Sequence, residues 1–258
     1  ANPNIRVINH SNAALAGVSG AAMMATAVAD QDVVMQAGNN WAPYPVGDAR
    51  HAPGLSGKGI IVGGLGPEDE MLGFGNHAGD MAQHYVVATG SSQFADYWGT
   101  SFATPRVSAL AAGLRFRWPD LRAEEIVAVI KRTATDMGAP GVDAKYGWGK
   151  INPTRAYSPI GLVYPPSTPG TTSPAETTEE EESSDDDVES TEVSLHRLTV
   201  GAPLFNALKE SGFFERVLVF DQFNRDFNWN LSASLKEQGA TNSARSFYSD
   251  WQRGKTPA

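Results

Sequence analysis

Along the first 157 residues, short apolar runs bounded by turn residues alternate with stretches of helical periodicity. Ile5-Arg6-Val7-Ile8-Asn9 is a brief β-prone run, and Asp32-Val33-Val34-Met35-Gln36 is a second, ended by Ala37-Gly38-Asn39-Asn40. Between them, Ala13 to Ala29 is rich in alanine, with Val18, Met23, Met24 and Val28, and predicts a buried helix whose first turns are weakened by Gly17 and Gly20. Strand, helix and strand at this spacing predict a βαβ unit with a right-handed crossover and parallel pairing. Gly59-Ile60-Ile61-Val62-Gly63 and His84-Tyr85-Val86-Val87-Ala88 are the next strand candidates. Val107, Leu110, Ala111 and Leu114 recur at helical spacing and predict a helix over 101–116. A second helix over 122–133 places Ile126, Val129 and Ile130 on one face, and a short one over 153–157 closes the pattern. Strands alternating with helices predict an α/β fold, a parallel sheet with helices on both faces.

Composition then breaks, and three regions are expected. Residues 1–157 form the α/β domain. Residues 158–193 are Pro, Ser, Thr, Glu and Asp with almost no large apolar side chains, too little to fold on, and predict an acidic disordered linker. Residues 194–258 form a small C-terminal segment in which Leu195 to Leu235 regains apolar content, with Val217-Leu218-Val219-Phe220 reading as a strand and Phe223, Phe227 and Trp229 supplying aromatics. About forty such residues are a marginal core alone.

Charge changes this picture little. The formal net charge is −9, but eight acidic residues lie between Glu179 and Glu189, so the rest of the chain is close to neutral. No basic face argues for a nucleic-acid partner. The acidic run reads as a solvated linker rather than a calcium site or a steering patch for basic substrates. The absence of cysteine excludes disulfides, thiolate metal sites and cysteine nucleophiles. No apolar run reaches the length of a membrane span. Ala1-Asn2-Pro3-Asn4-Ile5 reads as the lead-in to a strand already inside a domain, so a segment upstream is expected.

Ser101 opens an apolar helix after Gly99-Thr100. A serine there meets free N–H groups and the positive end of the helix dipole. Pro105 is expected in the first turn, where its missing N–H costs little. The small residues Ala103, Ser108, Ala109, Ala111 and Ala112 let the helix lie close to a sheet. On the helix alone, Ser101 is either an ordinary cap of a buried helix or a nucleophile. A Gly-x-Ser-x-Gly elbow, and with it an α/β-hydrolase esterase, is set aside because Ala103 stands where the second glycine belongs.

Gly99-Thr-Ser-Phe-Ala-Thr-Pro-Arg-Val107 resembles the nucleophile motif of the subtilisin family, Gly-Thr-Ser-x-Ala-x-Pro-x-Val, at every defining position. Val33-Val34-Met35-Gln36-Ala37-Gly38-Asn39 resembles the strand whose terminal asparagine donates to the oxyanion, with Asn40 the weaker candidate. Val7-Ile8-Asn9-His10-Ser11-Asn12-Ala13 resembles the family's Val-Ile-Asn-Met-Ser-Leu-Gly strand, departing at Asn12 and Ala13. The resemblance implies a subtilisin-like sheet lacking its N-terminal strands, with Ser101 as nucleophile and Asn39 with the Ser101 N–H as oxyanion hole. It implies a substrate cleft walled by Ser11, Asn12 and Ala13 on one side and Gln36, Ala37 and Gly38 on the other. An extended polypeptide substrate would pair there with exposed backbone.

Tyr85-Val86-Val87-Ala88-Thr89-Gly90, Gly138-Ala139-Pro140-Gly141-Val142-Asp143 and Tyr146-Gly147-Trp148-Gly149 also resemble the family, the last two most closely the passenger subtilases of bacterial autotransporters. The resemblance implies secretion or display at the bacterial surface, with 194–258 leading to a barrel that this chain does not contain. Family order puts the triad aspartate and histidine before the serine, so both are expected upstream of residue 1. His10, His51, His77, His84 and His196 match no histidine motif of the family, and His10 reads as a core histidine. Alone, the chain is expected to be nearly inert, since a serine hydroxyl without its base is a poor nucleophile. The competing expectation is a catalytically dead subtilisin-like module that binds peptides or acts as a passenger. The family commonly takes calcium, although no ligand loop stands out by spacing, and no other cofactor is identified.

Overall fold

The computed structural model describes residues 4–12, 30–92, 96–161, 163, 206–207 and 209–230. The predicted helix Ala13–Ala29, with its crossover, and nearly all of the predicted linker lie outside these residues. The chain divides into two units, Ala1–Ser158 and Pro159–Ala258.

The first unit is built on a four-stranded, wholly parallel sheet in the order β1 (Val7–His10), β2 (Asp32–Gln36), β3 (Gly59–Leu65) and β4 (Tyr85–Thr89). Val33 stands opposite Ile8 and Gly59, and Ile61 opposite Tyr85, which fixes the register across the sheet. Every residue of β2 and β3 is buried. That is why these strands read as unbroken apolar runs rather than alternating ones: a parallel sheet is covered on both faces. The fourth strand begins one residue later than its pattern suggested, because His84 closes a 3-10 turn, Gly79–His84.

One face carries helix α1 (Thr100–Arg117), whose buried residues Thr100, Ala103, Thr104, Val107, Ser108, Ala111, Leu114 and Arg115 repeat at helical spacing. Polar bonds pin it to the sheet. The Ser108 hydroxyl donates to Asn9 Oδ1 (2.8 Å), the Thr100 hydroxyl to Gln36 Oε1 (2.9 Å), and Arg115 Nε to the buried Asp32 carboxylate. The opposite face packs Val33, Met35, Ala37, Ile61, Leu65, Tyr85 and Val87 against Ala49, Ala52 and Leu55 of a 3-10 segment, Gly47–Leu55. Helix α2 (Ala123–Arg132) buries Ile126, Val127, Val129 and Ile130, and its Ala123 N–H is capped by Asp30 Oδ1 (2.6 Å). A short helix α3, Pro153–Ala156, follows.

Pro105 does not stand in the first turn. The helix begins at Thr100, so Pro105 is its sixth residue and has no N–H to give the Ser101 carbonyl. The turn is held instead by the Thr104 hydroxyl, which donates to the Thr100 carbonyl (2.8 Å), and by the packing of its small residues on the sheet.

In the second unit, β5 (Val217–Phe220) and β6 (Asp226–Trp229) form an antiparallel hairpin. Its turn is organised by the buried Asp221 carboxylate, which accepts from the N–H groups of Phe223 (2.9 Å) and Arg225 (3.1 Å). It also takes the Arg225 guanidinium at 2.6–2.9 Å. That guanidinium has no solvent exposure and lies over the rings of Phe223 and Phe227, so one local ion pair and two aromatics stand in for a core.

Candidate active site

The two segments singled out by sequence, 36–39 and 99–101, meet at the carboxyl end of β2. Gly99 is extended (φ 168°, ψ 160°) and its N–H donates to the Gly90 carbonyl (2.8 Å), which sets the approach of the chain to α1. Asn39 Oδ1 accepts from the Thr100 N–H (3.0 Å) and from the Thr100 hydroxyl (3.2 Å). A carboxamide whose oxygen is committed in this way turns its Nδ2 donors elsewhere. Nδ2 stands 3.6 Å from where a Cβ on Gly99 would be. Among the described residues, the Ser101 N–H, at the second position of the helix, makes no hydrogen bond. Two donors therefore flank the start of α1, where the helix dipole already favours negative charge.

Ser101 is half-buried, and its hydroxyl donates to Gln36 Oε1 (2.9 Å). The same oxygen accepts from Thr100, so the nearly buried Gln36 amide holds both hydroxyls. An amide oxygen accepts a hydrogen bond but takes no proton at neutral pH, so this arrangement orients Ser101 without activating it. Sequence reasoning placed Gln36 on a cleft wall and missed this bond; only its position at the strand end, four residues before Asn40, hinted at it.

Of the other wall residues, Ala37 has its methyl in the core on the far face of the sheet, and Gly38 is buried with φ +104°. On the β1 side, the Ser11 hydroxyl accepts from Asn9 Nδ2 (2.9 Å) and Asn12 is exposed, while Ala13 lies outside the described residues. Asn40 is exposed, and its N–H donates to Asn76 Oδ1 (2.8 Å).

None of the described histidines bonds to Ser101. His10 Nε2 lies 3.3 Å from Asp48, whose carboxylate is buried. Burial holds both His77 and His84 below the ordinary imidazole range, with Lys145 and Lys131 respectively adding to the effect. Among the described residues, no three His, Cys, Asp or Glu side chains converge on one point. No described helix is long and apolar enough to cross a membrane.

A profile described as the subtilase family matches residues 1–149. The chain belongs to the subtilase family. This subtilase is 52% identical over 54 residues to an extracellular serine protease of Serratia marcescens, a stretch that is 21% of this chain and 5% of that protein. It is 40% identical over 58 residues to the Neisserial autotransporter lipoprotein NalP of Neisseria meningitidis, 22% of this chain and 5% of the relative. It is 31% identical over 122 residues to serotype-specific antigen 1 of Mannheimia haemolytica, 42% of this chain and 13% of that protein. The subtilase chain thus spans a small part of the length of these relatives. Its fold is similar to that of the patellamide maturation protease PatA, with a TM-score of 0.50 and 23% identity, over 60% of this chain and 63% of the other.

Proposed function

We propose that this subtilase is the serine-bearing part of a secreted or surface-displayed serine endopeptidase that hydrolyses peptide bonds by acyl transfer. The observation that carries this reading is the Thr100–Asn39 clamp, which ties the Asn39 carboxamide to the start of the helix that bears Ser101 and leaves its Nδ2 as a donor beside it. Ser101 Oγ attacks the scissile carbonyl carbon of a polypeptide held in extended form, and its proton passes to a histidine. The negative oxygen of the tetrahedral intermediate takes hydrogen bonds from Asn39 Nδ2 and the Ser101 N–H. Collapse breaks the C–N bond, the leaving amine takes the proton, and water then hydrolyses the acyl-serine. The histidine and its orienting aspartate come from the segment that precedes this chain. The kinship with an autotransporter lipoprotein and an extracellular protease supports export.

The Ser101–Gln36 bond favours a second reading, a subtilase module that binds peptides without cleaving them, because it gives the hydroxyl an acceptor that is not a base. A fluorophosphonate, which reacts with an activated serine, separates the two. The expected result is labelling of this chain only when it is extended upstream, and none in the Ser101→Ala variant. No labelling of either form supports the inert module. Labelling that survives Ser101→Ala removes Ser101 from the role.

A further inference from the structure

Asn76 lies in the loop between β3 and β4, where neither periodicity nor a motif marks it, and it has no solvent exposure. Both ends of its side chain are bonded. Nδ2 donates to the Ala37 carbonyl (3.1 Å), and Oδ1 accepts from the N–H groups of Asn40 (2.8 Å) and Ala42 (3.1 Å). Its backbone adds two more bonds: the N–H donates to the Gly38 carbonyl (3.0 Å), and the carbonyl accepts from the Tyr85 hydroxyl (2.5 Å). Ala37 and Gly38 precede Asn39; Asn40 and Ala42 follow it. One residue therefore grips the chain on both sides of Asn39 without touching Asn39 itself.

The grip is anchored and specific. Tyr85 is fully buried on β4, so the loop is tied through Asn76 to the sheet rather than to another loop. The space that Asn76 occupies is the space a side chain on Gly38 would need, since its Nδ2 stands 2.5 Å from where that Cβ would be. The strained backbone of the exposed Trp41, at φ 56°, lies within the gripped segment. Strain of this kind persists only where the surroundings over-determine it. A donor aimed in advance at a developing charge needs no reorganisation during the reaction, so the rigidity of this loop has a catalytic consequence.

We infer that Asn76 is a positioning residue that sets the Asn39 carboxamide, and so the oxyanion hole, through the 37–42 loop. Its effect on turnover rests on the peptidase reading above; its hold on the loop does not. The test compares wild type, Asn76→Ala and Tyr85→Phe in the upstream-extended protein, by kcat and KM on a peptide and by residue-resolved amide exchange. In Asn76→Ala, kcat is expected to fall by up to about 10²-fold, the scale of an ångström misplacement, with KM nearly unchanged. Exchange should accelerate at Asn40 and Ala42 while β3 stays protected. Tyr85→Phe should act in the same direction and more weakly, and it carries the comparison if Asn76→Ala does not fold. Unchanged exchange at Asn40 and Ala42 overturns the inference. So does loosening spread evenly over the sheet, or an unchanged kcat in an active, folded variant. If wild type neither cleaves peptides nor takes the fluorophosphonate, the peptidase reading falls, while selective loosening of Asn40 and Ala42 still supports the grip on the loop.

Discussion

Replacing Gly38 by alanine tests the architecture of the site at its tightest point, because two separable costs meet there. The first is conformational. At φ +104° an L side chain is strained, at about 1–2 kcal/mol. The second is steric. A Cβ would stand 2.5 Å from Asn76 Nδ2 and 2.7 Å from Val46 Cγ2, and Asn76 is held by its bond to the Ala37 carbonyl. Overpacking of a filled site costs about 1–3 kcal/mol, so the two together come to about 2–5 kcal/mol. Two other glycines isolate the terms. Gly141 has φ +80° with nothing within 4 Å of an added Cβ, so Gly141→Ala should show the conformational cost alone. Gly73 also has open space and no positive φ, so Gly73→Ala should be neutral or stabilise by about 0.4–1 kcal/mol. Urea unfolding with linear extrapolation gives the three values on one scale. If Gly38→Ala costs no more than Gly141→Ala, the packing around Asn76 is not as tight as argued, and the steric part of the reasoning is wrong.

Arg115→Met should destabilise the first unit by about 3–5 kcal/mol in urea unfolding, because it strands the buried Asp32 carboxylate that the guanidinium pairs with. Burial pushes the Asp32 carboxyl up to about 7, more than Arg115 lowers it, whereas the Arg115 guanidinium is held protonated by bonds to both aspartates that outweigh its own burial. A carboxyl raised in the fold contributes stability below its ordinary value of 3.8 and loses it as pH rises toward 7, by at most about 1.4 kcal/mol per pH unit. Unfolding free energies measured from pH 4 to 7 should therefore fall for wild type relative to Asp32→Asn, and parallel profiles would refute the assignment. Asn39→Ala in the upstream-extended protein should lower kcat by about 10²–10³ with little change in KM; an equal effect on KM would mean that Asn39 holds substrate rather than the transition state.

The hydrophobic pattern carried the frame of the first unit. Apolar runs at 33–35 and 59–62 read as strands, and the 3.6-residue recurrence from Val107 to Leu114 as a helix, and the structure has each of them so. The motif around Ser101 and the strand end at Asn39 were equally local, because each needs a short, fixed run of residue types. What stayed hidden was every bond that joins distant stretches. Gln36 reaches Thr100 and Ser101 across more than sixty residues, Arg115 reaches Asp32 across 83, and Asn76 holds a loop whose first residue lies 39 positions earlier. Side chains of this kind carry no periodic signal, since one polar residue in a loop or on a buried helix face looks like a solvated one until its partner is in place. Even Pro105 shows the limit: its residue type was plain, yet its cost depended on where the helix began, which the Asn39–Thr100 bond decides. Periodicity thus marked the strands and helices of the described part of the first unit, and the resemblance of a short motif singled out Ser101. The tertiary structure alone decided how the hydroxyl of Ser101 is held and how Asn39 is aimed, because those depend on distances between groups far apart in the chain.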